Sequence, residues 1–146
     1  MKMKHRLIQP IIEQLQAIAG LKLVYLSGSR SQHQATQHSD WDIAFLASTQ
    51  LTNIERWELA QQLAITLGCD VDLVDLSQAS TVLQLQVVTQ GQLLLGSQYD
   101  DDAFAVQVYS MYGDLQESRQ AIVQAFIEEV KDLDMSKAVL AKLIKH

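Results

Sequence analysis

The sequence predicts an α/β protein with a helical C-terminal extension. Three short segments have the length and apolar content of strands, at residues 21–26, 40–46 and 70–76. Apolar residues at helical spacing lie before, between and after these segments. The expected order of elements is therefore α-β-α-β-α-β-α, followed by further helices.

The first helix and the first strand lie on either side of Gly20. Before it, a set of apolar residues recurs at helical spacing: Leu7, Ile8, Ile11, Ile12, Leu15, Ile18 and Ala19. Pro10 either begins a helical turn or kinks a helix that has already started, and Gly20 is a natural stop for this helix. Residues 21–26 then form a buried strand that ends in Ser27-Gly28-Ser29. The polar residues 30–39 allow a short helix from Ser29, followed by a loop.

The second strand, residues 40–46, is predicted to carry one acidic face. Side chains alternate along a strand, so Asp40 and Asp42 point to the same side as Ala44. The opposite side carries large apolar residues that need a core: Trp41, Ile43 and Phe45. We therefore expect the acidic face to open to a cleft.

The helix predicted at residues 53–67 has signals at both ends. Thr52 can cap its start, with Glu55 three positions later as the partner in a capping box. Gly68 follows its last turn and ends it. A buried stripe is predicted from its apolar residues: Ile54, Trp57, Leu59, Ala60, Leu63, Ala64 and Leu67.

The segments after the third strand are mostly helical. Ser77 is predicted to open a helix that runs to about Thr89, and Leu93-Leu94-Leu95-Gly96 forms either a small strand or a connector. A long helical pattern covers residues 101–131, and a short basic helix covers residues 136–145.

Two domains follow from this arrangement. Residues 1–96 form one compact α/β domain, and residues 97–146 form a helical extension that packs on the domain or binds a partner.

The composition excludes several classes of protein. The 146-residue chain has a net charge of −6, so it lacks the basic footprint of a nucleic-acid binder. No apolar run approaches the roughly 20 residues of a membrane span, and the N-terminus has no apolar core typical of a signal peptide. The single cysteine, Cys69, excludes an intrachain disulfide and fits a cytoplasmic location.

The strongest functional candidates are the paired carboxylates Asp40 and Asp42. A charged pair on an apolar strand is costly unless a metal or solvent compensates it; the structural alternative is a half-exposed edge strand with an acidic outer face. Asp72 supplies a third carboxylate; Asp70 shares its face but sits at the start of the strand, and Asp75 is expected to cap the following helix. Three carboxylates can hold two Mg²⁺ ions, which also bind substrate phosphates.

A phosphate-binding turn is predicted just upstream, at Gly28 and Ser29. Glycine permits close backbone approach, and N–H groups at the start of a helix favour anions. Arg30 either neutralises phosphate charge or is simply solvated, whereas His33 and His38 are interpreted as loop residues.

Three sequence elements together form a recognisable pattern: Ser27-Gly28-Ser29-Arg30, Ser39-Asp40-Trp41-Asp42-Ile43-Ala44 and Val71-Asp72-Leu73-Val74-Asp75-Leu76. This pattern resembles the minimal nucleotidyltransferases of the polymerase-beta-like superfamily over residues 20–96. The resemblance implies the nucleotidyltransferase fold, a small mixed sheet flanked by helices. Tyr112-Gly113-Asp114-Leu115, followed by Arg119, is similar to the helical tail of MntA-type members, the antitoxins of HEPN/MNT toxin–antitoxin modules.

The resemblance also implies an activity: Mg²⁺-dependent transfer of AMP from ATP to a tyrosine of a HEPN-domain ribonuclease toxin, which neutralises it. On this basis Asp40 and Asp42 coordinate both metal ions, and Asp72 ligates the catalytic ion and favours deprotonation of the attacking hydroxyl. Gly28 and Ser29 hold the β- and γ-phosphates.

Two other functions stay open on the sequence. A small-molecule nucleotidyltransferase of the aminoglycoside-modifying type would use the same chemistry, although the chain has no second substrate domain. An antitoxin that acts by binding alone would not need three carboxylates. The preferred interpretation is therefore an enzyme, a protein adenylyltransferase.

Overall fold

The computed structural model describes residues 2–28 and 40–132 of the chain. The helices and strands of these residues alternate as the sequence predicts for an α/β protein. In chain order they are α1 (Lys2–Leu15), β1 (Leu21–Ser27), β2 (Trp41–Ala47), α2 (Asn53–Leu67), β3 (Val71–Asp75), α3 (Thr81–Gln90), β4 (Gln92–Leu95) and α4 (Gln98–Asp132).

The four strands of the described residues form one mixed sheet in the order β3-β2-β1-β4. Strand β1 pairs antiparallel with both β2 and β4, whereas β2 and β3 are parallel and joined through α2. This confirms the predicted mixed sheet. Of the two alternatives for the segment after Gly91, the strand is correct.

Each face of the sheet is covered by its own apolar cluster. On one face, the predicted apolar side of β2 packs with residues of α1 and α2: Trp41, Ile43, Phe45, Ile11, Leu15 and Leu63. On the other face, residues of β1 and β2 pack with α3 and the start of α4: Tyr25, Ala44, Val87, Phe104 and Val108. The face that carries the acidic residues is therefore open only near the start of β2, because Ala44 is fully buried.

The start of α4 belongs to the same compact unit as the sheet. The chain divides into two units, Met1–Tyr109 and Ser110–His146. Within the first unit, the Tyr25 hydroxyl of β1 donates a hydrogen bond to the Asp101 carboxylate in the first turns of α4. Burial and this carboxylate raise the pKa of Tyr25 well above its usual range.

The predicted ends of α2 are confirmed. The Thr52 hydroxyl accepts a hydrogen bond from the Glu55 amide at 3.1 Å, and the Glu55 carboxylate accepts one from the Thr52 amide at 3.1 Å. At the other end, Gly68 adopts a φ of 69° and its amide donates to the Ala64 carbonyl at 2.8 Å. Local sequence signals therefore determine both ends of this helix.

The predicted start of α3 is wrong. Asp75 does not cap that helix; it holds a turn, because its Oδ1 accepts hydrogen bonds from the Ser77 amide at 3.0 Å and the Ser77 hydroxyl at 2.7 Å. The helix begins three to four residues later, where the Ser80 hydroxyl accepts a bond from the Leu83 amide at 3.2 Å. Ser77 is thus engaged by the preceding carboxylate, and the second serine becomes the cap.

The helical boundaries and faces differ from the prediction in three further places. Helix α1 ends at Leu15, before Gly20, with Pro10 inside it as one of the two predicted alternatives, and α4 begins at Gln98. On α2, the predicted stripe is too wide, because Ile54 and Trp57 are 69% and 64% exposed. The helix predicted from Ser29 and the one predicted at residues 136–145 lie outside the described residues.

No helix in residues 2–28 and 40–132 is long and apolar enough to span a membrane.

Candidate active site

Parallel pairing of β2 with β3 brings two of the predicted carboxylates together. Asp42 is the second residue of β2 and Asp72 is the second residue of β3, and the two are register partners. Residues in register on neighbouring strands point to the same face of a sheet. Asp40 immediately precedes β2 and lies two positions before Asp42. The three carboxylates therefore gather where these two strands begin.

The register also separates Asp72 from the neighbouring acidic residues. The Asp70 carbonyl accepts a hydrogen bond from the Trp41 amide at 2.9 Å, which places this residue just before the paired strands. Asp75 lies at the opposite end of β3 and is occupied with its turn. Asp72 is thus the carboxylate on β3 that stands beside Asp42.

The electrostatics of Asp42 reflect this crowding. Burial of its half-buried carboxyl raises the pKa of Asp42, and the negative charges of Asp72 and Asp40 raise this pKa further. Asp40 and Asp72 are themselves exposed. A site that accumulates repelling carboxylates around a partly buried one is suited to a bound cation, which would relieve the repulsion.

The donor set fits a hard divalent cation by its chemistry, since oxygen ligands from carboxylates are those that Mg²⁺ prefers. Within the described ranges, however, no group of three or more His, Cys, Asp or Glu side chains already stands in an arrangement that could hold a metal ion.

Gly28 touches the same site from the end of β1. Its φ of 71° lies in the left-handed region, and a Cβ built at this position would lie 2.2 Å from Oδ2 of Asp42. Ser27, the last residue of β1, is the register partner of Asp42. Only glycine lets the backbone pass this close to the carboxylate without displacing it. The predicted glycine turn and the predicted carboxylates therefore meet at one place, whereas Ser29 and Arg30 lie outside the described residues.

Beside the edge strand β3, two residues of α2 line a pocket on the face of the sheet that α2 covers, opposite the face of the Asp42 and Asp72 carboxylates. Arg56 and Trp57 of α2 line a pocket together with Asp72 and Leu73 of β3. The Arg56 guanidinium donates to the Leu73 carbonyl at 3.1 Å. The sequence predicts Trp57 in the buried stripe, because helical spacing alone does not distinguish an exposed tryptophan from a buried one.

Comparison with known families decides the kind of site. The sequence profile described as Polymerase beta, Nucleotidyltransferase matches residues 8–100, which is more than half of the chain. The chain belongs to this family. The matched range contains the mixed sheet and every predicted site residue of the nucleotidyltransferase.

The chain is also similar to a characterised nucleotidyltransferase. It is 59% identical over 106 residues to "Protein adenylyltransferase MntA" of Shewanella oneidensis strain MR-1, covering 73% of this chain and 76% of that protein.

Two solved structures extend the comparison. A crystal structure of a toxin–antitoxin with AMP-PNP contains a chain that is 55% identical, with a TM-score of 0.75, covering 82% of this nucleotidyltransferase and 98% of that chain. A structure of tri-AMPylated Shewanella oneidensis HEPN toxin in complex with MNT antitoxin contains one that is 52% identical, with a TM-score of 0.72, covering 84% and 98%.

Proposed function

We propose that this protein is a protein adenylyltransferase that transfers AMP from ATP to a tyrosine of a HEPN ribonuclease toxin and so acts as its antitoxin. The observation that carries the proposal is the meeting of Asp42, Asp72 and Gly28 at one end of the sheet. The 59% identity to MntA and the likeness to an antitoxin in complex with tri-AMPylated HEPN toxin support it.

The carboxylates have separate tasks in this proposal. Asp40, Asp42 and Asp72 would hold Mg²⁺, most simply as two ions, which when bound supply positive charge to the phosphates and to the attacking oxygen. The tyrosine oxygen forms a bond to the α-phosphorus while the bond between that phosphorus and the bridging oxygen breaks, and pyrophosphate leaves. The exposed Asp72 favours loss of the hydroxyl proton as this bond forms.

The glycine turn supplies the nucleotide side of the site. Backbone N–H groups at Gly28 and Ser29 would bind the β- and γ-phosphates, and Arg30 would offset part of their charge. The close approach of Gly28 to Asp42 supports this proposal, since phosphates bound at the turn would lie next to the carboxylates. For Ser29 and Arg30 the support is their place in the sequence motif.

The proposal keeps the two domains that the sequence predicts. Residues 1–96 form the nucleotidyltransferase domain, and residues 97–146 form a helical extension that packs on the domain or binds the toxin. We place the protein in the cytoplasm, where both ATP and a ribonuclease target are present.

Labelled ATP tests the proposal directly. Purified protein, Mg²⁺ and the partner toxin are incubated with ATP labelled at the α-phosphate, and in parallel with ATP labelled at the γ-phosphate. We expect label on the toxin from the α position only, at a tyrosine, and at least about a hundredfold less label with Asp42→Asn because its charge is needed for the transfer.

Two outcomes would contradict the proposal. Full labelling by Asp42→Asn would remove this carboxylate from the chemistry. Absence of label with the wild type, combined with neutralisation of the toxin in cells by both forms, would mean that the antitoxin acts by binding alone.

A further inference from the structure

The Asp42 side chain is directed at the turn that follows β1. A Cβ built on Gly28 would lie 3.4 Å from the Cβ of Asp42, 3.1 Å from its Cγ and 2.2 Å from its Oδ2. Since these distances shorten along the side chain, the carboxylate is the part of Asp42 that lies closest to the Gly28 backbone. The negative charge of this residue therefore lies against the turn itself.

The pairing of β2 with its two neighbours holds the carboxylate in this place. Asp42 and Ser27 are register partners, and the Ser27 hydroxyl donates a hydrogen bond to the Asp42 carbonyl at 3.4 Å. On its other side, Asp42 is paired with Asp72 of β3. Neighbouring strands thus fix the backbone of Asp42 on both sides, so its approach to Gly28 follows from the sheet and not from an exposed loop.

The three carboxylates of the site therefore differ in their relation to the turn. Among the described residues, the three atoms nearest to a Cβ at Gly28 all belong to Asp42. Asp72 lies on β3, on the far side of β2 from β1, which adds the spacing of one strand, about 5 Å. Asp40 is exposed and precedes β2. Asp42 is thus the carboxylate that stands between the others and the turn.

A negative charge in this position opposes a triphosphate at the turn. In the proposed function the backbone at Gly28 holds the β- and γ-phosphates, whose oxygens are also negative. Like charges in contact repel, and the half-buried position of Asp42 reduces the screening by solvent. A bound cation reverses this effect, because it is attracted to the carboxylate and to the phosphates alike. The same side chain therefore disfavours a bare triphosphate and favours its metal complex.

We infer that the Asp42 carboxylate selects the form of the nucleotide: it excludes a metal-free triphosphate from the turn at Gly28 and admits the complex of the triphosphate with a divalent cation. The inference rests on the proposed function and names the form of substrate that the site accepts. It gives Asp42 a task in binding besides its proposed place as a metal ligand. Removal of its charge should therefore improve the binding of metal-free nucleotide, whereas loss of a metal ligand alone would improve no binding.

Binding of ATP in the presence of a chelator tests the inference, because no metal ligand acts under this condition. Asp42→Asn is compared with Asp72→Asn, which removes an equal charge from the neighbouring strand, farther from the turn. By titration calorimetry we expect Asp42→Asn to bind metal-free ATP at least about tenfold more tightly than the wild type does. Asp72→Asn should change this affinity less than about threefold, since solvent screens its exposed charge.

Further measurements separate an effect on the phosphates from an effect on the whole site. Adenosine has the same base and sugar without phosphates, so we expect Asp42→Asn and the wild type to bind it equally. The thermal midpoint of each variant verifies that it is folded at the temperature of the titration. Asp42→Ala, which removes the bulk of the side chain together with its charge, should bind metal-free ATP at least as tightly as Asp42→Asn does.

Failure of the inference differs from failure of the proposed function. If the wild type labels the toxin with Mg²⁺ present, but neither Asp42 variant gains affinity for metal-free ATP, the Asp42 carboxylate does not exclude the bare triphosphate. An equal gain in Asp72→Asn, or an equal gain for adenosine, likewise overturns the inference, because the effect would then belong to the general charge or shape of the site. If the wild type transfers no label to the toxin, the proposed function itself is wrong.

Discussion

Asp42 is held where its charge is unfavourable for folding. Its pKa is raised in the folded protein by burial, and by the charges of Asp72 and Asp40, from an ordinary value of 3.8. The folded state therefore binds a proton more tightly than the unfolded state does. As the pH rises from about the unfolded pKa through the raised folded pKa, the protein loses stability, and above that range the loss is constant.

Asp42→Asn should consequently stabilise the fold at neutral pH. In the absence of divalent cations, we expect a higher thermal midpoint than that of the wild type at pH 7, and a difference that shrinks as the pH is lowered towards 3.8. Calorimetry at a series of pH values with a chelator present measures this. A variant that is equally stable at pH 7, or whose advantage grows towards low pH, would contradict the electrostatic account.

Gly28 imposes a second local constraint, and the chain offers a matched control for it. Gly28 and Gly68 have nearly equal φ values, 71° and 69°, but a Cβ at position 28 meets Asp42 at 2.2 Å whereas one at position 68 meets nothing within 4 Å. Both Gly28→Ala and Gly68→Ala should lose about 1 kcal/mol of stability through backbone strain.

Only the first of these substitutions should impair chemistry. We expect Gly28→Ala to lower AMP transfer at saturating toxin by at least about tenfold, because the methyl group displaces the carboxylate, and Gly68→Ala to retain it. Urea unfolding and initial rates on the two variants check this pair of results. Equal activity in both variants would show that the close approach of Gly28 to Asp42 is not needed for AMP transfer.

At the scale of the elements, the parts that the sequence predicts are those determined by neighbouring residues. The capping box of Thr52 and Glu55 is an interaction across three positions, and its geometry follows from the local chain alone. The apolar alternation of β2 likewise places Trp41 in the core. The cap of a helix is ambiguous where two candidates lie close together, as Ser77 and Ser80 do. The Asp75 carboxylate binds the Ser77 hydroxyl, and Ser80 is therefore the residue that caps α3.

The parts that could not be predicted depend on contacts between distant segments. The pairing of Asp72 with Asp42 follows from the register of β3 against β2, which no local pattern specifies. The exposure of Trp57 depends on which elements cover α2, and helical spacing assigns it equally well to either face. The sequence predicts only that the Gly28 turn precedes Asp42 in the chain. The short distance between Gly28 and the Asp42 carboxylate depends on how β1 and β2 pair in the sheet.

At the scale of the whole molecule, the net charge of −6 bears on how the partner is found. An acidic protein attracts a partner surface of opposite charge over distances comparable to the Debye length, which falls from about 30 Å to about 10 Å between about 0.01 M and about 0.1 M salt. Such attraction acts on the rate of encounter more than on contacts within the complex.

Raising the salt concentration should therefore slow AMP transfer when the toxin is subsaturating. Over that range of salt we expect kcat/KM for the toxin to fall at least about threefold while kcat changes little, since screening weakens steering and leaves the bound complex largely intact. Initial rates at fixed Mg²⁺ and ATP measure the slope. A rate that is independent of salt would mean that the net charge does not guide the encounter with the toxin.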